Sequence, residues 1–288
     1  MRATAIDTVS RQEARTSMNI IVTGAASGIG CQIVTQLAQA GHTVLAVDLD
    51  AAALSHSSHT HAWPAHAVTR VQHDVRDPES WRRLFDLLAA RDEGLDAMIN
   101  VAGVLRVESV GELKPESVAL QMDVNAKGVI LGTQFAAAVM KSQGRGRIVN
   151  IASMAALAPI PGISVYSASK FAVRGFSLAA AQELAPFGVH VSVVCPDAVA
   201  TPMVDYQLDH AGAALTFSGP RILTAQEVAS AVVGLLTGRP RAELVIPWSR
   251  GALAKISTLL PRSLRRWVTA QLTRKGLARQ ASIRARKD

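Results

Sequence analysis

The sequence contains few cysteines and no long apolar run, and each absence excludes a class of protein. Two cysteines among 288 residues, Cys31 and Cys195, cannot form a disulfide framework or a cysteine-based metal site. We therefore expect a reducing, cytoplasmic compartment. No apolar stretch approaches the ~18 residues of a membrane-spanning helix. Residues 1–17 carry several charges and no long apolar core, which argues against a secretory signal and predicts a flexible N-terminal extension.

Charged residues are also scarce, and the positive charge is confined to one end of the chain. Asp, Glu, Lys and Arg make up 18% of the sequence, less than in an average globular protein, whereas the 49% of hydrophobic residues suffices for a large core. Residues 249–288 contain eleven Lys or Arg and one acidic residue, while the whole chain carries a formal charge of +8. The basic character therefore belongs to a tail and not to the main body.

Short β-branched runs alternate with helical segments between Asn19 and Ile246. Strands are predicted at 19–23, 42–47, 70–74, 96–100, 146–151, 190–194 and 242–246. Helices are predicted at 31–40, 78–91, 115–140, 166–184 and 224–236. Such alternation produces a parallel sheet with helices on both faces. We therefore predict an α/β fold, a single Rossmann-like, doubly wound parallel sheet, for a catalytic domain that spans residues 18–248.

Two segments interrupt this alternation. Residues 56–73 hold five of the eight histidines, but without the fixed spacing or acidic partners of a metal site. We predict a solvated loop there and no metal site. Residues 201–221 are rich in Ala, Gly and Ser with weak periodicity, and a loop of that length is typical of a lid or a binding loop.

A glycine-rich turn follows the first strand and opens the first helix. In Thr23-Gly-Ala-Ala-Ser-Gly-Ile-Gly30 the glycines permit a tight turn, a close approach to phosphate and close packing of helix on strand. The amino end of the helix would then meet a pyrophosphate. Asp48 lies about 20 residues further on, where an acid can accept a hydrogen bond from a ribose 2′-hydroxyl. This context predicts a dinucleotide site.

The charges around this turn predict which dinucleotide binds. A cofactor with a 2′-phosphate needs a cationic partner, yet neither the turn nor the two residues after Asp48 include Lys or Arg. The Asp48 carboxylate would also repel the phosphate. We therefore predict NAD(H) and not NADP(H).

Tyr166 and Lys170 are separated by three small residues. On a helix, residues four apart share one face, and a nearby ammonium favours the ionised form of a phenol. A lowered pKa would make Tyr166 a usable acid or base near neutral pH. An ordinary surface pair explains the same spacing when it stands alone, so the other motifs decide.

The Gly-x-x-x-Gly-x-Gly turn and the Tyr166-x-x-x-Lys170 pair together resemble the short-chain dehydrogenase/reductase family over residues 19–246. The resemblance implies that Tyr166 exchanges the substrate proton, Ser153 bonds the reacting oxygen, Lys170 supports the phenol and binds ribose, and Asn125 holds a water. It also implies that the cofactor contacts Tyr166 and Lys170 and a further set of residues, namely Gly24, Ser27, Gly28, Ile29, Gly30, Asp48, Asp74, Val75, Asn100, Ala102, Gly103, Pro196, Val199 and Thr201.

One residue departs from the family pattern, and the surrounding segments predict the substrate class. Family members commonly have Pro-Gly where this chain has Pro196-Asp197, and the aspartate tolerates unusual backbone less well than glycine and can place a polar group near the nicotinamide. The segment 154–165, which walls the pocket in this family, has no charge. The nearby apolar side chains are expected to be Val104, Leu105, Met203, Leu215 and Phe217, and the nearby charges Arg106 and Asp197. A hydrophobic alcohol or ketone suits such a pocket.

The basic tail, 249–288, combines positive charge with an apolar stripe. The stripe recurs at helical spacing and consists of Leu264, Trp267, Val268 and Leu272, with Arg262, Arg265, Arg266, Arg274 and Lys275 around it. Two interpretations stay open: a basic amphipathic helix that lies on a membrane surface, and a helix packed on its own subunit or on a dimer mate. The absence of interleaved aromatic residues disfavours nucleic acid.

These observations predict an NAD(H)-dependent oxidoreductase that interconverts a hydrophobic secondary alcohol and its ketone. Three alternatives stay open. The first is an NADPH-dependent carbonyl reductase of a lipid-like ketone. The second is a non-catalytic cofactor-binding protein of the same fold, and the third is a membrane-surface or scaffold protein that acts through its tail. The family resemblance also implies a homodimer or homotetramer.

Overall fold

The computed structural model describes residues 17–91 and 94–285, and its centre is a parallel sheet of seven strands. Along the chain the strands are β1 (Asn19–Thr23), β2 (Thr43–Asp48), β3 (Val68–Gln72), β4 (Ala97–Asn100), β5 (Gly146–Ile151), β6 (Val189–Pro196), β7 (Val199–Ala200), β8 (Leu223–Thr224) and β9 (Glu243–Ile246). The large sheet has the order β3-β2-β1-β4-β5-β6-β9, and every neighbouring pair is parallel. Strands β7 and β8 pair separately.

Helices cover both faces of the sheet, as predicted. They are α1 (Gly28–Gln39), α2 (Ala51–Thr60), α3 (Pro78–Ala89), α4 (Pro115–Met122), α5 (Gly128–Gln143), α6 (Ser164–Leu184), α7 (Pro202–Leu208), α8 (Ala225–Thr237), α9 (Trp248–Ser257) and α10 (Arg262–Arg284). Side chains of a strand alternate between faces, so Ile20 and Val22 join the core beneath α1 and α8, while Ile21 joins the core beneath α3 and α5. The fold is therefore a Rossmann-like α/β sandwich.

The sheet order places a cleft at the carboxyl ends of the central strands. From β1 the chain proceeds outward to β2 and β3, and then returns to the other side of β1 with β4. Ligands of such sheets bind at this reversal, outside the carboxyl ends of the strands. The glycine turn lies at the end of β1, directly at the reversal.

Both predicted loops are wrong in part. The histidine-rich segment begins inside α2, because Asp50 caps that helix through a bond from the backbone N–H of Ala53 to Oδ1 at 2.9 Å, and it ends with β3 and a buried His73. The segment 201–221 forms α7 and a 3-10 helix at Ala211–Ser218. In the described residues no three His, Cys, Asp or Glu come together in a way that could hold a metal ion.

The tail packs on its own chain through α10. A Cβ on Gly276 would lie 1.9 Å from the carbonyl oxygen of Ala214, so the absence of a side chain permits close contact with the 3-10 helix. The buried Gln280 Nε2 donates to the carbonyls of Gln207 and His210 at 3.0 and 3.1 Å. In the described residues, α10 therefore packs against its own chain. None of the described helices is long and apolar enough to span a bilayer.

Candidate active site

The glycine turn is shaped by close backbone contacts. Gly24 has a φ of +66°, and a Cβ there would lie 2.8 Å from the backbone of Ala102. A Cβ on Gly30 would lie 2.1 Å from the carbonyl oxygen of Gly24. Only glycine at position 30 therefore lets the start of α1 pack against the glycine turn. Ser27 precedes α1 in an extended conformation. The amino end of α1 therefore lies at the carboxyl end of β1, where the sequence predicts that a pyrophosphate binds.

Asp48 is fixed beside this turn. Its Oδ2 accepts a hydrogen bond from the backbone N–H of Ala26 at 3.0 Å, and its Oδ1 accepts one from Asp50 at 3.1 Å. These bonds orient the carboxylate at the end of β2, next to the turn. Asp48, the predicted acceptor for the ribose hydroxyl, therefore lies next to the glycine turn, which is predicted to bind phosphate.

Asp74 and Val75 follow β3, and the structure adds a partner that the sequence did not indicate. Arg76 Nη2 lies 2.7 Å from Asp74 Oδ2, and hydrogen bonding to Arg76 lowers the pKa of Asp74. Val75 abuts α5, where a Cβ on Gly128 would lie 2.9 Å from Val75 Cγ2. The ion pair fixes the orientation of the Asp74 carboxylate after β3.

Asn100 points into the protein interior. Its Nδ2 donates to Asn150 Oδ1 at 2.8 Å, and Asn150 Nδ2 donates to Ser177 Oγ at 2.9 Å and to Thr133 Oγ1 at 3.2 Å. This buried network joins β4 and β5 to α5 and α6, and its partners are too distant in sequence to be predicted. The side chain of Asn100 thus braces the sheet, while Thr23 Oγ1 accepts from the backbone N–H of Ala102 at 3.2 Å.

Asn125 lies where α4 and α5 are joined by a π-helical turn, Asp123–Lys127. The predicted long helix is therefore continuous but wider at this point, as is frequent at functional sites. Asn125 Oδ1 accepts from the backbone N–H of Val104 at 2.7 Å, and Nδ2 donates to the carbonyl of Val104 at 2.8 Å and to Ser169 Oγ at 3.0 Å. Ser169 was not predicted as a partner.

Ser153, Tyr166 and Lys170 converge at the end of β5. Ser153 caps a short 3-10 helix by accepting from the backbone N–H of Ala155 at 3.1 Å, and its hydroxyl acts to lower the pKa of the nearby Tyr166 phenol. Lys170 Nζ donates to the carbonyl of Ile151 at 2.9 Å and lies 5.7 Å from the centre of the Tyr166 ring. The predicted tyrosine and lysine thus share one face of α6.

Burial dominates the protonation of this pair. It raises the pKa of Tyr166 to about 12, although the Ser153 hydroxyl opposes the shift. It also lowers the pKa of Lys170 to about 8. The Tyr166 pKa is therefore raised in this structure and not lowered as predicted, because the loss of water around the phenol disfavours its charged form.

An apolar cavity of about 910 Å³ begins at these residues. It is lined by several residues that were predicted to bind the cofactor or the substrate, among them Ile29, Gly103, Leu105, Pro196, Val199, Thr201, Met203 and Leu215. Val104, Phe217 and Arg106 do not line it: Phe217 packs with Val204 and Leu208, and Arg106 Nη1 donates to the carbonyl of Leu105 at 3.1 Å. Thr201 also abuts the glycine turn, since a Cβ on Gly28 would lie 2.9 Å from its Cγ2.

The tail supplies an entire wall of this cavity. The lining residues beyond Ile246 include Arg250, Leu253, Ala254, Leu260, Val268 and Leu272. Close packing of α9 on β9 permits this arrangement, because a Cβ on Gly251 would lie 2.2 Å from Val245 Cγ1. Helical periodicity indicated an apolar face in the tail, but not that the face would turn toward the active site.

Asp197 reaches the tail rather than standing alone beside the cofactor site. Its Oδ2 lies 2.7 Å from Arg250 Nε, and Arg250 Nη2 donates to Ser218 Oγ at 3.3 Å. Burial raises the pKa of Asp197, and the charge of Arg250 opposes that shift. The departure from the family's Pro-Gly pattern therefore has a structural role, which is to tie the tail to the end of β6.

Comparison with known proteins agrees with this geometry. The short chain dehydrogenase family profile matches residues 18–211. A cyclopentanol dehydrogenase of Comamonas testosteroni is 35% identical over 76% of this chain and 89% of its own. A 3-alpha-(or 20-beta)-hydroxysteroid dehydrogenase of Mycobacterium tuberculosis is 34% identical over 65% of this chain and 70% of its own.

A solved structure shows the same fold. The short-chain type dehydrogenase/reductase from Mycobacterium marinum superposes with a TM-score of 0.72 and 28% identity, over 79% of this chain and 93% of that one. Fold, motif geometry and sequence similarity thus agree: this chain is an oxidoreductase of alcohols or ketones and belongs to the short-chain dehydrogenase family.

Proposed function

We propose that the protein oxidises a hydrophobic secondary alcohol to its ketone with NAD⁺, and catalyses the reverse reaction with NADH. The observation that carries this proposal is the convergence of Ser153, Tyr166 and Lys170 at the inner end of a large apolar cavity. An alcohol in the cavity would present its oxygen to a hydrogen-bond donor and a proton carrier, while its apolar body contacts aliphatic walls. The relatives named for cyclopentanol and hydroxysteroids support this substrate class.

The residues at the end of β1 and β2 fit a nicotinamide dinucleotide. The glycine turn packs closely at the amino end of α1, since a Cβ on Gly24 or Gly30 would collide with main chain. The oriented carboxylate of Asp48 suits a free ribose 2′-hydroxyl and repels a 2′-phosphate. When bound, NAD⁺ supplies the hydride acceptor and a positive charge.

The side chains divide the remaining work. Ser153 donates to the reacting oxygen and holds it beside the phenol. Tyr166 takes the hydroxyl proton as the carbonyl forms, and returns it in the reverse direction. Because burial raises its pKa to about 12, this role requires positive charge nearby, which Lys170 and the cofactor provide. Asn125 fixes the backbone at Val104, and its location behind Lys170 suits a water-mediated path for protons.

A turnover screen tests the proposal. Cyclopentanol, secondary alkanols of increasing length, a hydroxysteroid and a phosphorylated alcohol would each be offered with NAD⁺ and with NADP⁺. We expect reduction of NAD⁺ with kcat/KM that rises with apolar area and fails for the phosphorylated alcohol. Better use of NADP⁺ would favour the reductase alternative. Cofactor binding without turnover of any substrate would favour the non-catalytic alternative.

A further inference from the structure

The corner between α9 and α10 exposes an unusual number of large apolar side chains. Leu259 is 83% exposed and Trp267 61%, and Leu253, Ile256 and Leu264 are also exposed. Scattered single apolar residues are normal on a surface, but a contiguous group marks an interaction site. We call the group Leu253, Ile256, Leu259, Leu264 and Trp267 the apolar corner.

Positive charge surrounds the apolar corner. Arg262, Arg265 and Arg266 are exposed on the first turns of α10. Among residues 17–91 and 94–285, no carboxylate forms an ion pair with any of these three arginines. Unpaired arginines around exposed tryptophan and leucine match an anionic lipid surface, where cations meet headgroups and indole rings lie at the interface.

The apolar corner also borders the mouth of the active-site cavity. Leu253 and Ile256 line the cavity although they are 61% and 57% exposed, and Arg265 and Arg266 line it from the exposed face of α10. Residues that are both exposed and cavity-lining mark an opening. The route into the catalytic cavity therefore starts among the side chains that suit a lipid surface.

A second copy of the chain is a poorer occupant of this surface. A two-fold contact brings the same patch of both copies together, so the unpaired arginines of one copy would face those of the other. Charged residues are depleted at the centre of stable interfaces, and like charges in contact are unfavourable. A bilayer that contains anionic lipid offers both the opposite charge and the hydrocarbon that the corner needs.

We propose that the apolar corner and its arginines dock the protein on anionic membrane surfaces, so that an apolar alcohol or ketone enters the cavity directly from the lipid. The lipid-to-cavity route rests on the proposed function, whereas the docking itself does not. Docking requires no helix to cross the bilayer, because the corner inserts only side chains into the interface.

The experiment measures cosedimentation of the full-length protein with vesicles. Vesicles of phosphatidylcholine with phosphatidylglycerol are expected to bind it, and binding should fall with added salt because screening weakens the charge term. Phosphatidylcholine alone should bind less. The variant Arg262→Gln/Arg266→Gln should lower partitioning roughly 30-fold, at about fivefold per charge. The matched variant Arg239→Gln/Arg241→Gln, at the opposite end of the sheet, should bind like the wild type.

A second variant separates docking from folding and from catalysis. Leu259 and Trp267 do not line the cavity, so Leu259→Ser/Trp267→Ser should lose vesicle binding and keep its turnover of cyclopentanol in solution. Absence of wild-type binding at low salt, or equal binding of both arginine pairs, would overturn the proposal. So would a wild-type oligomer that Leu259→Ser/Trp267→Ser dissociates. Because Tyr166→Phe should still bind vesicles, failure of the proposed catalysis leaves this test intact.

Discussion

Arg250 at the start of α9 pairs with Asp197 at the end of β6, with 2.7 Å between Nε and Oδ2. The Asp197 side chain is only 6% exposed and that of Arg250 23%, so the pair lies largely out of water. It joins the tail to the strand end that borders the catalytic cavity. The position of the cavity wall therefore depends in part on this buried ion pair.

Removing one member of this pair should destabilise the protein more than removing both. Arg250→Met leaves the Asp197 carboxylate buried without its partner, which typically costs about 3 kcal/mol of unfolding free energy. The double variant Asp197→Gly/Arg250→Met should recover part of that loss. Urea unfolding of the wild type, both single variants and the double variant measures the coupling. Additivity within about 0.5 kcal/mol would contradict the ion pair.

The same variants should alter substrate binding more than chemistry. Loosening α9 moves the apolar wall but not Ser153 or Tyr166. We expect Arg250→Met to raise KM for a steroid or long-chain alcohol, with a smaller effect on kcat and on the small alcohol cyclopentanol. An equal loss of kcat for all alcohols would instead indicate damage to the catalytic residues.

Tyr166→Phe should abolish proton exchange and preserve cofactor binding. The phenyl ring still fills the buried site on α6, whereas the hydroxyl near Ser153 is lost. A positioned acid or base contributes about 10²–10⁴ to rate, and kcat should fall by at least that factor. Quenching of protein fluorescence by NADH should give a nearly unchanged Kd. Substantial activity in this variant would refute the proposed role of Tyr166.

Asp48 offers a test of cofactor choice with two informative substitutions. Asp48→Ser removes both the ribose acceptor and the repulsion of a 2′-phosphate, and should reduce the NAD⁺ over NADP⁺ preference in kcat/KM at least tenfold, because a hydrogen bond to a charged group contributes about 1.5–3 kcal/mol. Asp48→Asn retains an acceptor and removes only the charge, so its effect should be smaller. An unchanged ratio in both variants would exclude Asp48 from cofactor recognition.

His73 should make stability depend on pH. Burial lowers its pKa from 6.5 to about 4, so between these values the unfolded chain binds a proton that the folded protein does not. The contribution of neutral His73 to the free energy of unfolding is therefore fully present above pH 6.5. It is lost as the pH falls, by about 3 kcal/mol in total. Relative to His73→Gln, the wild type should lose stability across this window. The exposed His56→Gln variant serves as the control and should follow the wild type.

Two helical glycines give a matched test of tail packing. Gly276→Ala places a Cβ 1.9 Å from the carbonyl oxygen of Ala214 and should loosen α10, whereas a Cβ at Gly234 in α8 meets nothing within 4 Å. Gly234→Ala should therefore stabilise by about 0.5–1 kcal/mol, while Gly276→Ala should lower Tm and speed hydrogen exchange in α10. Equal behaviour of the two variants would contradict the close contact.

The sequence predicted the parts of the site that depend on short spacing. The glycine turn, Asp48 and the Tyr166–Lys170 pair each lie within one strand-helix unit, so local pattern predicted the strand and helix that carry them. Arg250 could not be assigned to Asp197, because a pattern identifies an exposed or apolar face but not its distant partner. His73 was placed in a solvated loop for the same reason: its burial depends on contact with Trp81 of α3, which no local spacing reveals.

The buried polar network illustrates the same limit. The family resemblance implied that Asn100 flanks the cofactor and steadies the sheet, but it did not name Asn150 of β5, which the Asn100 amide contacts. Thr133 and Ser177, on α5 and α6, complete the network. None of these three partners carries a sequence signal, since a serine or threonine on a helix is ordinary until the fold places it beside another polar group.

Because the tail forms one wall of the cavity, substitutions that alter substrate binding and substitutions that alter catalysis can fall in different parts of the chain. Residues 18–211 match the family profile and hold Ser153, Tyr166 and Lys170, whereas the opposite wall comes largely from residues 250–273. Recombination between β8 and α9 would therefore exchange one wall of the cavity and leave the catalytic residues intact. Lineages that share this arrangement can diverge in the molecules they accept by replacing a terminal segment, without re-optimising the sheet that performs the reaction.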